Sequence, residues 1–355
     1  IYKFNRKLDN YIRKSYCGGR NEAHYIGKYN HKVYYYDFTS LYPAEGRLYL
    51  PYGKPTPFKD EEIKYFNDTK DFKNISYGFY RVKVQTKDID KENTLPLHAE
   101  KTDKLLFSKY KDEKILTLFS EEIKYGHKLD LYNYELIDGY SFKKERFMKD
   151  FFNTGFENKN KAKQNEQEAL AFVWKIIINS GYGFWGLNTM GKDGKGRDGV
   201  QICKTDEGDF WSLLEQEKLV NIGNYGGYTI CRKLEELSVK DFSVAIASAI
   251  TSYSRMKLYK LSKAIMDKGE KVLYFDTDSV ITTMKLSEHP DIIKNFDWDK
   301  KNDCRSNGDI LGSLKNEADD DVKKHFKKKY GKDWQKHFIK QKELDDGEFH
   351  FDAYL

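Results

Sequence analysis

Two aspartates, Asp276 and Asp278, sit two residues apart inside the run from Lys271 to Thr282. The flanking Val, Leu, Tyr, Phe and Ile residues are β-prone, so the run reads as strand, turn, strand with both carboxylates at its tip. Carboxylates placed this way can project toward one point, and an apolar core would not tolerate them unpaired; they need a cation or solvent. A surface turn that uses Asp for local hydrogen bonds is the plainer reading of Asp-x-Asp on its own. A third acid, Asp37, ends the apolar run His31 to Phe38 and precedes Thr39-Ser40-Leu41-Tyr42-Pro43. Ser and Thr can cap a short helix there, with Pro43 in its first turn, so Asp37 is either a ligand or an N-cap. Further along, Gln164, Glu168, Ala171, Lys175, Asn179 and Tyr182 recur at spacings of four and three, which puts Lys175, Asn179 and Tyr182 on one helix face. A merely solvated polar face is the alternative. The opposite side offers Phe172, Val173, Ile176 and Ile177 for burial, and Gly181 and Gly183 break the helix.

These residues need a scaffold, and its outline is legible. Residues 145–180 read as one long helical region. Phe242 to Met266, dense in Ala, Ile, Leu and Met, is a second helix and leads into the acidic hairpin. Between Leu50 and residue 146 the pattern mixes strands, such as Tyr77 to Val84 and Leu131 to Ile137, with a helical run near Ser120 to Leu129. It reads as an α+β insertion on the main body. The glycine-rich stretch 184–235 reads as β-hairpins with mobile loops and matches neither a Walker loop nor a dinucleotide fingerprint. The Gly18-Gly19 pair after Tyr16-Cys17 marks a turn where backbone can approach something bulky. Beyond residue 285 the chain becomes strongly charged and reads as helices with weakly specified loops. No internal repeat is evident.

With 33% charged, 39% hydrophobic and only 6 Pro among 355 residues, the chain is globular rather than disordered or collagenous. Its 27 Tyr supply rings with a polar tip, suited to surfaces that meet bases or sugars. The net charge of +6 is uneven: Lys3, Arg6, Lys7, Arg13, Lys14, Arg20, Lys28 and Lys32 face only Asp9 and Glu22 within residues 1–36. That arm is either a phosphate-binding element or a solvated basic face. Cys17, Cys203, Cys231 and Cys304 lie far apart without a C-x-x-C pair, which implies free thiols, a reducing compartment and no secretion. No apolar run approaches the roughly 20 residues that span a bilayer, so no membrane partner is expected. The chain begins at Ile1 inside a polar amphipathic stretch, which points to a natural N-terminus further upstream.

Asp37-Phe-Thr-Ser-Leu-Tyr-Pro, Lys175-Ile-Ile-Ile-Asn-Ser-Gly-Tyr-Gly and Tyr274-Phe-Asp-Thr-Asp-Ser, in this order, resemble the three palm and fingers motifs of family B DNA polymerases. The resemblance is to the protein-primed branch of small phages and linear mitochondrial plasmids. Tyr16-Cys-Gly-Gly resembles the segment that joins that branch's exonuclease and polymerase domains and touches the template, and Leu50-Pro51-Tyr52-Gly53 is a further local match. The resemblance covers most of the chain to about residue 285, with Leu311 to Glu317 the last familiar patch. It implies an α+β right-hand architecture with an antiparallel-sheet palm, helical fingers, a partial thumb and two inserted subdomains. Its boundaries would be a linker and template-binding arm at 1–36, palm at 37–54 and 236–285, terminal-protein-region insertions at 55–146 and 184–235, fingers at 147–183 and a thumb-like segment at 286–355.

The implied activity is DNA-directed addition of dNTPs to a primer 3′-hydroxyl with two Mg²⁺ ions, Mn²⁺ being a substitute. Asp37 and Asp278 would bridge the metals, the carbonyl of Phe38 would help hold the nucleotide-side ion, and Asp276 would complete the primer side. Lys175, with Lys163 or Lys161, would neutralise the triphosphate. Tyr182 and Asn179 would line the base pocket, and Tyr42 would act as the sugar gate. Tyr16, Gly18, Gly19 and Thr277 would meet DNA, and Lys328-Lys329-Tyr330 is the match to the Lys-x-Tyr that steadies the primer end. Expected partners are template and primer DNA, dNTPs and a terminal protein as primer, with the chain itself a monomer. The expected setting is a mitochondrion or a phage-infected cell. Two departures stand out: Ala171 occupies a position that is commonly basic, and the family's proofreading domain would precede Ile1, so this chain should not edit. An RNA-templated polymerase, which usually shows adjacent Asp-Asp, and a non-catalytic DNA-binding remnant are the rival readings.

Overall fold

In this computed structural model the described residues are 2, 4–29, 31–88, 94–187, 197–204, 219–225, 228–235, 243–296, 310–316 and 351–353. The centre is an antiparallel sheet built from β1 (Arg20–Ala23), β3 (Tyr34–Phe38), β13 (Val272–Thr277), β14 (Ser279–Thr282) and β15 (Leu314–Asn316), in the order β1-β13-β14-β3-β15. Only β13 and β14 are joined by a tight turn. β2 (Gly27–Tyr29) pairs separately with a terminal strand.

Behind the sheet runs α7 (Val244–Met266), counted after α1 (Arg6–Arg13), α2 (Leu41–Glu45), α3 (Asp60–Thr69), α4 (Ser120–Lys128), α5 (Lys149–Gln164) and α6 (Glu168–Gly183). α7 is buried on most sides from Val244 to Ile265, which makes it a central helix, and it packs against α1, α2, α4, α6 and both strands of the acidic hairpin. A second sheet contains β4 (Leu50–Pro57), β5 (Gly78–Thr86), β8 (Lys114–Phe119) and β9 (Tyr132–Glu145), in the order β4-β9-β5-β8. β5 shows why it forms: Val82 and Val84 are buried while Arg81, Lys83 and Gln85 alternate outward with period two. The insertion is not a separate body, since one core cluster joins its Val82, Leu116 and Leu136 to Tyr36, Phe38 and Phe275 of the central sheet. The short ribbon of β6 (Ala99–Lys101) and β7 (Leu105–Phe107) completes it. The glycine-rich stretch forms hairpins as expected: β10 (Arg197–Lys204), β11 (Leu219–Tyr225) and β12 (Tyr228–Glu235) are antiparallel in the order β10-β12-β11.

Three expectations need correction. The helical region 145–180 is two helices, because after α5 the chain reverses at Asn165-Glu166-Gln167, with Glu166 left-handed at φ 57°. No Gly or Pro announces that turn. Phe172, Val173, Ile176 and Ile177 are not buried; Phe172 is 62% exposed. The main neighbour of α6 is α5, with lesser contacts to α2 and α7, and its buried residues are Ala171 and Ile178, against Phe152, Gly155 and Phe156 on α5. A Cβ on Gly155 would lie 2.4 Å from Ile178 Cγ2, so the glycine lets the helices approach closely. Finally, Ser40 does not cap α2 with its side chain; it is itself left-handed, at φ 52°.

Candidate active site

Strand register fixes the acids. Asp37, on β3, lies between Ser279 of β14 and Lys315 of β15, so it is a strand residue and not a cap. The amide of Phe38 donates to the Asp278 carbonyl at 2.8 Å, which draws the hairpin tip against the end of β3. At that tip Thr277 is left-handed, with φ 57°, an uncommon state for a β-branched residue. Its amide and hydroxyl both donate to Asn21 Oδ1, at 2.7 and 3.1 Å, which helps hold the turn.

The result is a pair of carboxylates, Asp37 and Asp278, packed together and largely shielded from water. Burial pushes the Asp278 carboxyl up to about 7, assisted by the charges of Asp37 and Asp276. Burial also pushes Asp37 up, opposed by the Lys315 ammonium 3.1 Å from its Oδ2. Two desolvated acids that resist ionisation form a donor pair that a divalent cation would relieve. Asp276 is exposed but near enough for its charge to act on both acids, and no three His, Cys, Asp or Glu side chains converge on one point among the described residues. The pair titrates as a unit.

Its effect on stability has a definite sign. A carboxyl whose folded pKa is raised stabilises the fold below the ordinary aspartate range near 3.9, and that contribution is lost as pH rises through about 7. In metal-free buffer Asp278→Asn should therefore be more stable than the parent at pH 8, by about 2 kcal/mol or about 4 °C in Tm, and the advantage should shrink toward pH 5. Equal pH slopes in the two melting series would remove the strained pair.

The acids form the floor of a large cleft. Its walls bring together Tyr42 from α2, Lys163 from α5, and Lys175, Asn179 and Tyr182 from α6, as the sequence had placed them. Phe172 and Ile176 join this wall rather than a core. Lys163, not Lys161, lines the cleft, because α5 presents it on the same side as Lys159 one turn earlier. The Tyr42 and Tyr182 rings lie against each other, with centroids 4.4 Å apart. A Cβ on Gly19 would meet Thr277 Cγ2 at 2.7 Å and the Tyr42 hydroxyl at 2.9 Å, so only glycine allows this loop so close to the hairpin tip. Gly18 has open space at the same position. The Phe38 ring is fully buried beneath the site. Lys328 and Tyr330 lie outside the described residues.

Three contributors escaped the sequence reading. Lys159 and Lys315 line the cleft. Arg255, buried in α7, donates to the Cys17 and Gly18 carbonyls at 2.6 and 3.1 Å and to Glu122 Oε1 at 2.9 Å, tying the Tyr16–Gly19 loop to α7 and to α4. A charged residue inside an apolar helix was the available signal. The basic arm, by contrast, is partly consumed internally. Arg13 pairs with Asp9 at 2.9 Å and donates to the carbonyls of Gly186 and Leu187. Arg20 is 3% exposed, its guanidinium 4.4 and 4.6 Å from the Phe107 and Phe275 ring centroids. Both guanidiniums are thus engaged by partners within the protein.

Comparison with known proteins agrees with this geometry. The family described as DNA polymerase type B, organellar and viral, matches residues 1–268. A probable DNA polymerase of Neurospora intermedia is 29% identical over 289 residues, covering 79% of this chain and 28% of that protein. The DNA polymerase of Bacillus phage Nf is 27% identical over 315 residues, covering 84% of this chain and 47% of that protein. Thus the chain spans between about a quarter and a half of these relatives. Among solved structures, Phi29 DNA polymerase complexed with primer-template DNA superposes with a TM-score of 0.60 at 22% identity, over 89% of this chain and 48% of the other, which establishes a shared α+β fold.

Proposed function

The chain belongs to the organellar and viral type B DNA polymerases, and from this we propose that it is a DNA-directed DNA polymerase adding dNTPs to a primer 3′-hydroxyl by two-metal phosphoryl transfer. The observation that carries the reading is the desolvated Asp37–Asp278 pair on the floor of a cleft walled by Lys159, Lys163 and Lys175. Such a cleft suits a metal-bound triphosphate. Two divalent cations, Mg²⁺ in the first instance, would stabilise the entering and leaving oxygens of the in-line displacement.

The chain's own residues do the rest. Asp37 and Asp278 would hold the ions and, with Asp276 and the Phe38 carbonyl, would fix where the α-phosphate sits. Lys175 and Lys163 balance the charge on the departing pyrophosphate. Tyr182 and Asn179 line the pocket for the new base pair, while Tyr42 occupies the space beside the sugar. Tyr16, Gly18, Gly19 and Thr277 would guide DNA past the tip, supported by the close approach of Gly19 to Thr277. By resemblance, Lys328 and Tyr330 steady the primer end, 37–54 and 236–285 are palm, 147–183 fingers and 286–355 thumb, the arm at 1–36 adjoins the template, and 55–146 and 184–235 are the two insertions. Priming from a terminal-protein hydroxyl, action as a monomer and a mitochondrial or phage-infected setting belong to the same reading, supported by fungal and phage relatives.

Primer extension with matched DNA and RNA templates tests it. Mg²⁺-dependent elongation on DNA is expected. Preference for the RNA template would make the chain an RNA-templated enzyme, and DNA binding without elongation would leave only a remnant.

A further inference from the structure

A second surface sets unneutralised charge beside exposed rings, at the end of the insertion sheet where β4 pairs with β9. Residues 49–56 and 143–149 hold five cations, Lys54, Lys143, Lys144, Arg146 and Lys149, and one acid, Glu145. All six side chains are exposed, and among the described residues none of the five cations is ion-paired. Elsewhere on the same insertion lysines do find acids: Lys83 pairs with Glu135 at 2.9 Å, Lys114 with Glu100 at 3.0 Å and Lys124 with Glu121 at 2.8 Å. Two rings stand among the unpaired cations, Tyr49 and Tyr52, each 43% exposed. Tyr49 is anchored from beneath, since its carbonyl accepts the hydroxyls of Tyr77 at 2.7 Å and of Tyr253 at 3.2 Å. Its ring centroid lies 4.5 Å from the Arg146 guanidinium carbon and 5.2 Å from the Lys144 ammonium. Tyr52 pairs across the strands with Lys143, so ring and ammonium share one face of the sheet.

A solvated basic face accounts for the lysines but not for two rings held in water among them. Exposed aromatic faces beside free cations suit a ligand that carries both phosphates and unstacked bases. A duplex keeps its bases stacked and gives the rings nothing to bind. A protein partner fits less well, because lysine is depleted from protein–protein interfaces. We propose that this face binds a single-stranded stretch of DNA outside the cleft, with phosphates on Lys143 and Arg146 and a base stacked on Tyr52. None of these side chains lines the acidic cleft, so the site stands independently of the chemistry assigned there.

Fluorescence anisotropy tests it, giving Kd for a labelled hairpin primer–template whose single-stranded 5′ overhang is either short or long, and for a blunt duplex. The parent should bind the long overhang more tightly than the short one. Y52A should weaken binding of the long overhang about tenfold with the salt dependence unchanged, as expected for one stacked base. K143Q/R146Q should flatten the slope of log Kd against log salt by about 1.4, the sum for two phosphate contacts on a single strand. Affinity for the short overhang and the blunt duplex should stay near the parent's, as should kcat for single-nucleotide addition. K64Q/K73Q, which neutralises two exposed and unpaired lysines of α3 and the turn after it, should match the parent throughout. A parent indifferent to overhang length, an undiminished preference in Y52A, or equal losses in K64Q/K73Q would overturn the proposal. So would an equal loss on the blunt duplex, which marks a generic anion face, or displacement of the long overhang by polyglutamate as readily as by oligothymidylate, which marks an acidic protein's site. If Y52A does not accumulate folded, Y52L, which keeps bulk against Phe147, is read with the same expectations. Failure of the parent to extend any primer would defeat the polymerase reading and leave these binding differences standing.

Discussion

Asp37→Asn and Asp278→Asn should each lower Mg²⁺-dependent nucleotide addition by on the order of a thousandfold, while primer–template affinity stays within about twofold of the parent. The magnitude follows from the several kcal/mol that a correctly held cation contributes to a phosphoryl transition state. The asymmetry follows from position. Both acids lie on the cleft floor, where Asp37 faces Lys315 and the two face one another, and a carboxylate makes no attractive contact to a phosphate backbone. Asn preserves shape and removes the charge, so the change isolates metal holding from packing. Asp276→Asn should be milder, because Asp276 is exposed and its charge is the best screened of the three. Single-turnover extension beside an anisotropy titration decides the matter. Addition by either floor variant at close to the parent rate would take the chemistry away from this pair.

The second large effect concerns the sugar. Tyr42→Val should reduce the preference for deoxy- over ribonucleotides by about a hundredfold, chiefly through easier ribonucleotide entry. The Tyr42 ring lies against the Tyr182 ring, 4.4 Å away by centroids, and its hydroxyl lies beside Gly19, contacts that hold the ring in place at the cleft wall. Exclusion by a fixed ring is a clash built against the wrong substrate, and removing bulk removes the clash. A loss of two to three kcal/mol of discrimination is about what one unaccommodated hydroxyl is worth in a rigid pocket. Deoxynucleotide addition should fall only a few-fold, since Tyr182 keeps its place on α6. Competition between dNTP and rNTP at one template position measures the ratio. If it does not move, sugar choice lies with another residue.

The acidic hairpin, the strand ending in Asp37, the buried helix before the hairpin and the Lys175–Asn179–Tyr182 face were all legible in the chain. Each rests on local periodicity or on a short-range pattern: alternation for strands, spacings of three and four for helix faces, β-prone runs around a turn. The same local logic recognised Gly19 as a point of close approach, although not what approaches it. Where the logic failed, the deciding contact was distant in sequence or the neighbour was missing. Phe172 and Ile177 look like core because apolar side chains on one stripe usually are; α6 packs mainly on α5 and leaves this stripe outside that contact. Arg13 and Arg20 look like phosphate contacts until carbonyls of Gly186, Leu187 and Pro96 are found holding them.

Residue types and short-range spacing thus carry the chain's functional groups: three acids, a lysine-bearing helix face and a glycine that admits close packing. How those groups share charge follows from contacts made across the fold. Register alone brings Lys315 opposite Asp37, and the unannounced left-handed turn at Glu166 folds α5 back on α6, so that Lys159, Lys163 and Lys175 line one cleft. Electrostatic energies depend on separation and burial, and neither is fixed until strands pair and helices cross; a residue's type states its charge, whereas its pKa and its partner belong to the fold.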